Sequence, residues 1–397
     1  MKVYFFVLTS FPYGMAAGKR RLCYAKGLMA AGLECQIVVC RKTEPFTTQP
    51  EMPDEGIFNG IKYIYISGMV RNRNKFIRKI DDLIDLCKGF FYSLNHVKKG
   101  DIIYSYFYGN LFHLILIVAG KIKGAKVVKE LCEYPFVFGK QTLINNFKRI
   151  FELKCVFPLF DGFIAISNSL EDLSNRNKSN KAKVIKVPIL VEKVYSDVNF
   201  DSMVSDIKVP YILHTGTMND RKDGISEIIK AFAVAINQLE RPIKLVFTGP
   251  NSTQRKEYDN LIAKYHLEEK IIFTGMLSSI ELAKYQYFSS LCIINKKNNL
   301  QNRNCFPTKL GEMLMYETAV ITTNVGDANC YLKDGESAYI VESDQPDLLA
   351  EKIVAAFLND DERNRIAKAG KKVALLEFDC LYHGERLAKY FLELNNN

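Results

Sequence analysis

The sequence predicts an α/β protein built as two doubly wound parallel-sheet domains, and three observations carry that expectation. The chain has 397 residues, room for two or three domains at roughly 150 residues each. Short β-rich runs alternate with helical patterns along its whole length, and strands bracketed by helices imply parallel βαβ units. The alternation is interrupted by the polar segment Lys193–Lys208 and then restarts with a new first strand.

Taken in order, Val3–Thr9 reads as a strand, Lys19–Ala31 as a helix, and Glu34–Cys40, Ile61–Ser67, Ile102–Tyr106 and Lys126–Lys129 as strands. A basic helix with apolar residues at helical spacing opens near Arg71, and a second spans Phe147–Phe160. Gly162–Ser167 and Val184–Val187 close the first set of strands. The second set runs Tyr211–His214, Lys244–Thr248, Ile271–Thr274, Leu291–Asn295, Val320–Thr323 and Tyr339–Val341. Its helices are Ile225–Asn237, Gln254–Tyr265, Ser279–Phe288, one from Thr308 to Tyr316, Pro346–Leu358 and Asp361–Leu375. The expected domains are residues 1–195 and 206–375, with a helix in 376–397 packing back toward the first. Two such domains facing across a cleft at their strand C-terminal ends suit a nucleotide-containing ligand.

Composition narrows the class. With 48% hydrophobic and 25% charged residues the chain is ordinary globular protein. Its ten cysteines form no CxxC pair and no His/Cys cluster, which fits free thiols in a reducing cytosol and predicts no metal site. The apolar run after Met1-Lys2 is shorter than the ~7–15 residues of a signal peptide and is read as a buried strand. Leu111–Gly120 falls far short of the ~20 residues that span a bilayer. Charge is uneven: residues 1–200 carry a net +13 and the remainder −3, so the first half is the one to meet an anionic partner. No nucleic-acid motif accompanies that charge. Arg71, Arg73, Lys75, Arg78 and Lys79 in one helix, and Lys148, Arg149 and Lys154 in the other, fit two arrangements. Each helix either lies on anionic lipid or packs on the core with a solvated charged face.

Several turns hold candidate site residues. Gly14-Met-Ala-Ala-Gly18-Lys19 is one residue short of a P-loop and has Arg20 where Ser or Thr would bind magnesium. What remains is a small-residue turn whose backbone N–H groups can approach a phosphate. No GxGxxG follows a predicted strand, which removes the main support for a dinucleotide oxidoreductase. The turn Gly216-Thr-Met-Asn-Asp-Arg221-Lys222 sets a basic pair before a helix, where Lys222 can neutralise a diphosphate. Gly249 and Gly275 each end a strand on the same sheet edge, where a missing side chain lets a ligand approach. In Asn304-Cys-Phe-Pro-Thr-Lys-Leu-Gly-Glu312, Pro307 is expected at the first helical position. The helix it opens buries Leu310, Met313 and Leu314 and turns Glu312 nearly opposite.

Read together, "YILHTGTMNDRKDGISEIIKAF", "LVFTGP", "IIFTGML", "CFPTKLGEMLMYETAVITTNVGD" and "LKDGESAYIVE" resemble the second domain of the family 4 retaining glycosyltransferases, of GT-B fold. "FPYGMAAGKRRLCYAKGLMAAGLECQIVV" and "FDGFIAISNSLEDL" resemble the first domain less specifically. The resemblance implies that Lys222, with Arg221, meets the donor diphosphate and Glu312 the ribose hydroxyls. It places Met276 and Leu277 at the base, Phe306, Pro307, Thr308 and Lys309 at the diphosphate and sugar, and the Gly14–Gly18 loop on the other side. Two positions depart from the family: Asn304 stands where a Glu contacting the sugar is usual, and Thr217 where an Arg is common. On the acceptor side the family usually has a His; here the region reads Glu130-Leu-Cys-Glu133, and Glu133 is the candidate polar contact or base.

The expected protein is therefore a cytosolic, metal-independent transferase, needing no cofactor besides its UDP- or GDP-linked sugar substrate. The acceptor is expected to be a glycan or a lipid-linked molecule at the inner membrane face, in surface polysaccharide synthesis. Two rivals stand beside it: a nucleotide-sugar epimerase on the same fold, and an inactive partner subunit, for which Asn304 is the main argument.

Overall fold

A computed structural model describes residues 1–12, 15–45, 47, 52–106, 110–136, 142–192, 200, 203 and 205–396. The chain divides into two compact units, Met1–Leu190 with Cys380–Asn397, and Val191–Asp379.

The first unit holds β1 (Lys2–Val7), β2 (Glu34–Val39), β3 (Glu55–Phe58), β4 (Ile61–Tyr65), β5 (Ile102–Tyr106), β6 (Lys126–Leu131), β7 (Gly162–Ala165) and β8 (Lys183–Lys186). They form one sheet in the order β3-β4-β2-β1-β5-β6-β7-β8, parallel except for the β3–β4 pair. The central strands are near-continuous apolar runs because helices cover both faces of a parallel sheet; Val3, Phe5, Phe6 and Val7 of β1 are all buried. β3 is an addition to the expected set. It is short and half-exposed, and it joins β4 through Asn59-Gly60, both at positive φ (49° and 79°), the geometry of a two-residue hairpin.

Its helices are α1 (Met15–Ala30), α2 (Lys75–His96), α3 (Asn110–Lys123), α4 (Leu143–Phe151) and α5 (Asn168–Asn177). α1 starts earlier than expected, so Gly18 lies in its first turn and not in a loop. A Cβ there would sit 3.1 Å from the Pro12 carbonyl oxygen, so the glycine permits close packing of helix on turn. Arg20 and Arg21, which follow it, are buried. The helix expected over Phe147–Phe160 is also corrected: α4 ends at Phe151, and a π turn (Glu152–Val156) and a 3-10 turn (Phe157–Leu159) complete the segment. The closing helix Cys380–Asn395 packs on α1, where the backbones of Gly27 and Gly384 meet so closely that a Cβ on Gly27 would lie 2.9 Å from Gly384 Cα.

The second unit holds β9 (Tyr211–Thr215), α6 (Asp220–Asp223), α7 (Ile225–Ile236), β10 (Lys244–Thr248), α8 (Arg255–Lys264), β11 (Ile271–Gly275), α9 (Ser279–Phe288) and β12 (Leu291–Ile294). It continues with α10 (Leu300–Asn304), α11 (Thr308–Met315), β13 (Val320–Thr323), α12 (Ala328–Tyr331), β14 (Tyr339–Val341), α13 (Pro346–Leu358) and α14 (Asp360–Glu377). The sheet order is β11-β10-β9-β12-β13-β14, with every pair parallel. Numbered within the unit this is 3-2-1-4-5-6, so the winding reverses between β9 and β12, and ligands of such sheets bind beyond the strand C-terminal ends at that point. α7 and α13 pack against each other over one core cluster, through Ile228, Ile229, Phe232, Ile353 and Phe357.

Candidate functional site

At the C-terminal edge of the second sheet, three neighbouring strands end alike: Thr215-Gly216, Thr248-Gly249 and Thr274-Gly275. The glycines are laced together, Gly216 N–H donating to the Thr248 carbonyl and Gly249 N–H to the Gly275 carbonyl, each at 3.0 Å. Gly249 has φ +141°, and a Cβ on it would lie 1.9 Å from the Gly216 carbonyl oxygen, so no other residue fits. At Gly275, φ +73°, a Cβ would meet nothing within 4 Å, so that face is open. Beneath this side-chain-free strip lie polar atoms without a partner. The hydroxyls of Thr215 and Thr248 and Nε2 of His214 are buried and make no hydrogen bond, which is unusual for buried polar groups. Burial lowers the His214 pKa, so the ring is neutral: Nδ1 donates to the Ile293 carbonyl (2.9 Å), leaving Nε2 as an acceptor.

The cations come from two neighbouring turns. Asn219 caps α6, its Oδ1 accepting from Lys222 N–H (3.2 Å), and Gly224 at φ +54° ends the helix after one turn. The turn is tied down by Asn302, whose Nδ2 donates to the carbonyls of Lys222 and Lys297, each at 2.8 Å. Lys222 is thus fixed at its backbone, while its half-buried ammonium has no acceptor among the described residues. Beside it Asp223 is buried and ion-paired with Lys296. Burial acts to raise the Asp223 pKa, but the Lys296 ammonium outweighs it, so the carboxylate stays charged with a lowered pKa. Lys296 follows β12 and is anchored by Thr323, whose hydroxyl accepts from Lys296 N–H (2.8 Å) and donates to its carbonyl (2.9 Å). Thr217, at the position that departs from the family, donates to Asp223 Oδ2 (3.5 Å).

Glu312 stands on α11 opposite Leu310, Met313 and Leu314, which are fully buried. Its carboxylate accepts from Lys309 Nζ (3.1 Å) and Gln286 Nε2 (3.3 Å) and keeps about a fifth of its surface exposed. Pro307 is the N-cap of α11 rather than its first helical residue, one position earlier than expected, and no side chain caps the helix. Thr308 and Lys309 form the first turn and are half-buried. The Phe306 side chain is turned to packing: its ring stacks on Tyr331 (centroids 5.3 Å) and meets Phe378 edge-on (5.6 Å). Asn304 ends α10, is buried, and donates its amide to the Leu300 carbonyl at 2.7 Å. Met276 is largely exposed, Leu277 half-buried and Arg221 exposed, its carbonyl accepting from Asn299 Nδ2 (2.9 Å).

In the first unit Glu133 follows the C-terminal end of β6 and is half-buried. Gly14 lies outside the described residues. The sequence reading did not pick out Lys296, Asn302, His214 or Asp223. The available signal was position: Asn295-Lys296-Lys297 directly follows the strand at which the winding reverses.

Residues 197–373 match the family described as "Glycosyl transferases group 1". Over 236 residues the chain is 24% identical to an uncharacterized glycosyltransferase of Methanocaldococcus jannaschii, covering 59% of this chain and 61% of that protein, so the match spans less than two thirds of the relative's length. Among solved structures, sucrose-phosphate synthase of Thermosynechococcus elongatus superposes with TM-score 0.73 at 16% identity, covering 99% of this chain and 98% of that one. A glycosyltransferase of Rickettsia africae gives 0.71 at 17%, over 100% and 99%. Anabaena HepE, solved in complex with UDP-glucose, gives 0.71 at 14%, over 99% of each chain. Likeness at these identities carries the fold, which is GT-B, an α/β architecture of two parallel-sheet domains.

Proposed function

Given the match of residues 197–373 to the glycosyl transferases group 1 family, we propose that the protein is a retaining glycosyltransferase taking its sugar from a nucleoside diphosphate. One observation carries this reading: a side-chain-free strip at Gly216, Gly249 and Gly275 runs along the sheet edge from the switch point, where Gly216 ends β9, and is flanked by the Lys222 ammonium, which has no acceptor among the described residues. The complexes of HepE with UDP and with UDP-glucose support a nucleotide-sugar donor here.

Cleaving a sugar from a nucleoside diphosphate builds positive charge at the anomeric carbon and negative charge on the departing phosphate. In the proposed site Lys222 and Lys309 neutralise the phosphate, so metal is not required, and one such fixed interaction is commonly worth ~3–4 kcal/mol. Glu312, held by Lys309 and Gln286, accepts the ribose hydroxyls. Met276 and Leu277, beyond the open Gly275, receive the base. The buried Asp223 and the half-buried Lys296 form a net-neutral pair that orients the Lys222 turn.

The acceptor is proposed to be a glycan or lipid-linked molecule at the inner face of the cytoplasmic membrane, in surface polysaccharide synthesis. Support comes from two helices of the first unit with exposed apolar faces. On α4, Leu143, Ile144, Phe147 and Ile150 are 58–88% exposed, with Lys148 and Arg149 beside them. On α2, Phe76, Leu83 and Phe91 are 59–71% exposed. Apolar faces with basic flanks fit anionic lipid. No described helix is long and apolar enough to cross a membrane. A thermal-shift panel of nucleoside diphosphates and their sugars tests the donor reading. Selective stabilisation by one nucleotide and its sugar is expected, and stabilisation by none would refute it. Binding with isomerisation of the donor and no transfer would favour an epimerase. Transfer found only in a partner protein would favour the inactive subunit.

A further inference from the structure

The first unit holds a buried cation that nothing above uses. Arg20 and Arg21 are consecutive on α1, both at most 5% exposed, yet their surroundings differ. Arg20 is fully engaged: its guanidinium pairs with Glu130 (2.6 Å) and donates to Tyr24 and to the carbonyls of Val187 and Pro188. Glu130 also accepts from Tyr24 (2.8 Å) and Tyr104, so its carboxylate is consumed by that cluster. Arg21 has only Nη2 engaged, with Thr9 Oγ1 (2.6 Å) and the Ser10 carbonyl (3.4 Å). Nε and Nη1 are buried without an acceptor, and no carboxylate among the described residues pairs with this guanidinium.

A buried charge with orphaned donors costs several kcal/mol unless something pairs with it. The location narrows what that is. Thr9 and Ser10 lie just past the end of β1, and the Tyr106 ring, 5.7 Å from the Arg21 guanidinium, ends β5. β1 and β5 are adjacent in the sheet although β2, β3 and β4 intervene in sequence, so Arg21 sits where the winding reverses, the ligand position of such sheets. Burial pulls its pKa below the usual guanidinium range, consistent with an uncompensated charge. A guanidinium is the side chain best suited to phosphate and carboxylate oxygens.

We propose that Arg21 is the anchor of an oxyanion site in the first unit, taking the phosphate or carboxylate group of the acceptor. That the ligand is an acceptor rests on the transferase reading; the oxyanion site itself rests on Arg21.

The test uses the full chain, 15N-labelled and saturated with UDP so that the edge of the second sheet is occupied. Inorganic phosphate and, separately, acetate are titrated while the Arg21 Nε–H resonance, identified by its loss in Arg21→Lys, is followed. A saturable shift is expected; one driven by phosphate alone assigns a phosphate-bearing acceptor, one driven also by acetate a carboxylate-bearing one. A resonance unmoved by both overturns the proposal. In parallel, phosphate should raise the melting temperature of the wild type and leave Arg21→Met unchanged; equal shifts in both would also overturn it. Should Arg21→Met fail to fold, the wild-type titration still decides. If UDP fails to bind while the Arg21 resonance moves, the donor reading falls and this site stands; the reverse result discards only this site.

Discussion

Gly249→Ala puts the glycine strip to its hardest test. The added Cβ would start 1.9 Å from the Gly216 carbonyl oxygen and 3.0 Å from its carbon, whereas carbon–oxygen contacts settle near 3.3 Å or more. The ends of β9 and β10 must then part by more than an ångström. That breaks the 3.0 Å bond from Gly216 N–H to the Thr248 carbonyl, at about 1 kcal/mol. Holding φ at +141° with a side chain adds about 1–3 kcal/mol. The sum is roughly 2–4 kcal/mol, a large share of the ~5–15 kcal/mol that keeps a domain folded. Gly275→Ala is the matched control: its Cβ meets nothing within 4 Å, so only the left-handed φ counts, at about 1–2 kcal/mol. The chain has no tryptophan, so urea unfolding is followed by far-ultraviolet circular dichroism. Gly249→Ala should lose about twice as much stability as Gly275→Ala. Equal losses would refute the strip's close packing.

Further outcomes follow from individual groups. Glu312→Ala should weaken nucleoside diphosphate binding by roughly tenfold, the loss of a hydrogen bond to a charged group, with unfolding stability changed by less than about 1 kcal/mol; calorimetry and urea unfolding together check this. In the first unit, burial acts to raise the Glu152 pKa, but Lys129 (3.1 Å) and His113 (3.0 Å) reverse that and hold it at about 2, against an ordinary 4.5. A depressed carboxyl stabilises fully above its unfolded value and loses that as pH falls, so about 3 kcal/mol should disappear between roughly pH 4.5 and 2; Glu152→Gln should flatten this part of the stability profile. Phe147→Asp with Ile150→Asp, at side chains 70% and 58% exposed, should abolish co-sedimentation with phosphatidylglycerol vesicles and leave UDP binding intact; unchanged co-sedimentation would remove α4 from the membrane face.

Most strands were legible because a parallel sheet buried on both faces leaves continuous apolar runs, as in Lys2–Val7 and Leu291–Ile294. β3 escaped because Glu55-Gly-Ile-Phe58 is an edge with one side in water, although Asn59-Gly60 after it is a strong hairpin signal. The start of α1 escaped because Gly14 and Gly18 suggest a loop, while Gly18 serves to pack against Pro12. At the site, Glu312 and the three glycines could be placed from helical spacing and strand ends. Phe306 could not be resolved as a packing residue, since its partners Tyr331 and Phe378 lie far along the chain. Asp223, Lys296 and His214 form a constellation only once β9 and β12 are adjacent, a pairing that local sequence does not encode. Arg21 was hidden for the opposite reason: a run of Lys19-Arg20-Arg21 reads as a solvated basic face, and only burial separates its members.

The most direct test of the central claim is calorimetric titration of UDP and GDP into the wild type and Lys222→Met. Lys222 is held by Asn219 and Asn302 through its backbone, so the substitution removes the ammonium and leaves the turn. A charge-assisted contact to phosphate is worth about 1.5–3 kcal/mol, so affinity for the preferred nucleotide should fall roughly 10- to 100-fold. An unchanged affinity, or no binding of either nucleotide to the wild type, would contradict a donor site at this edge.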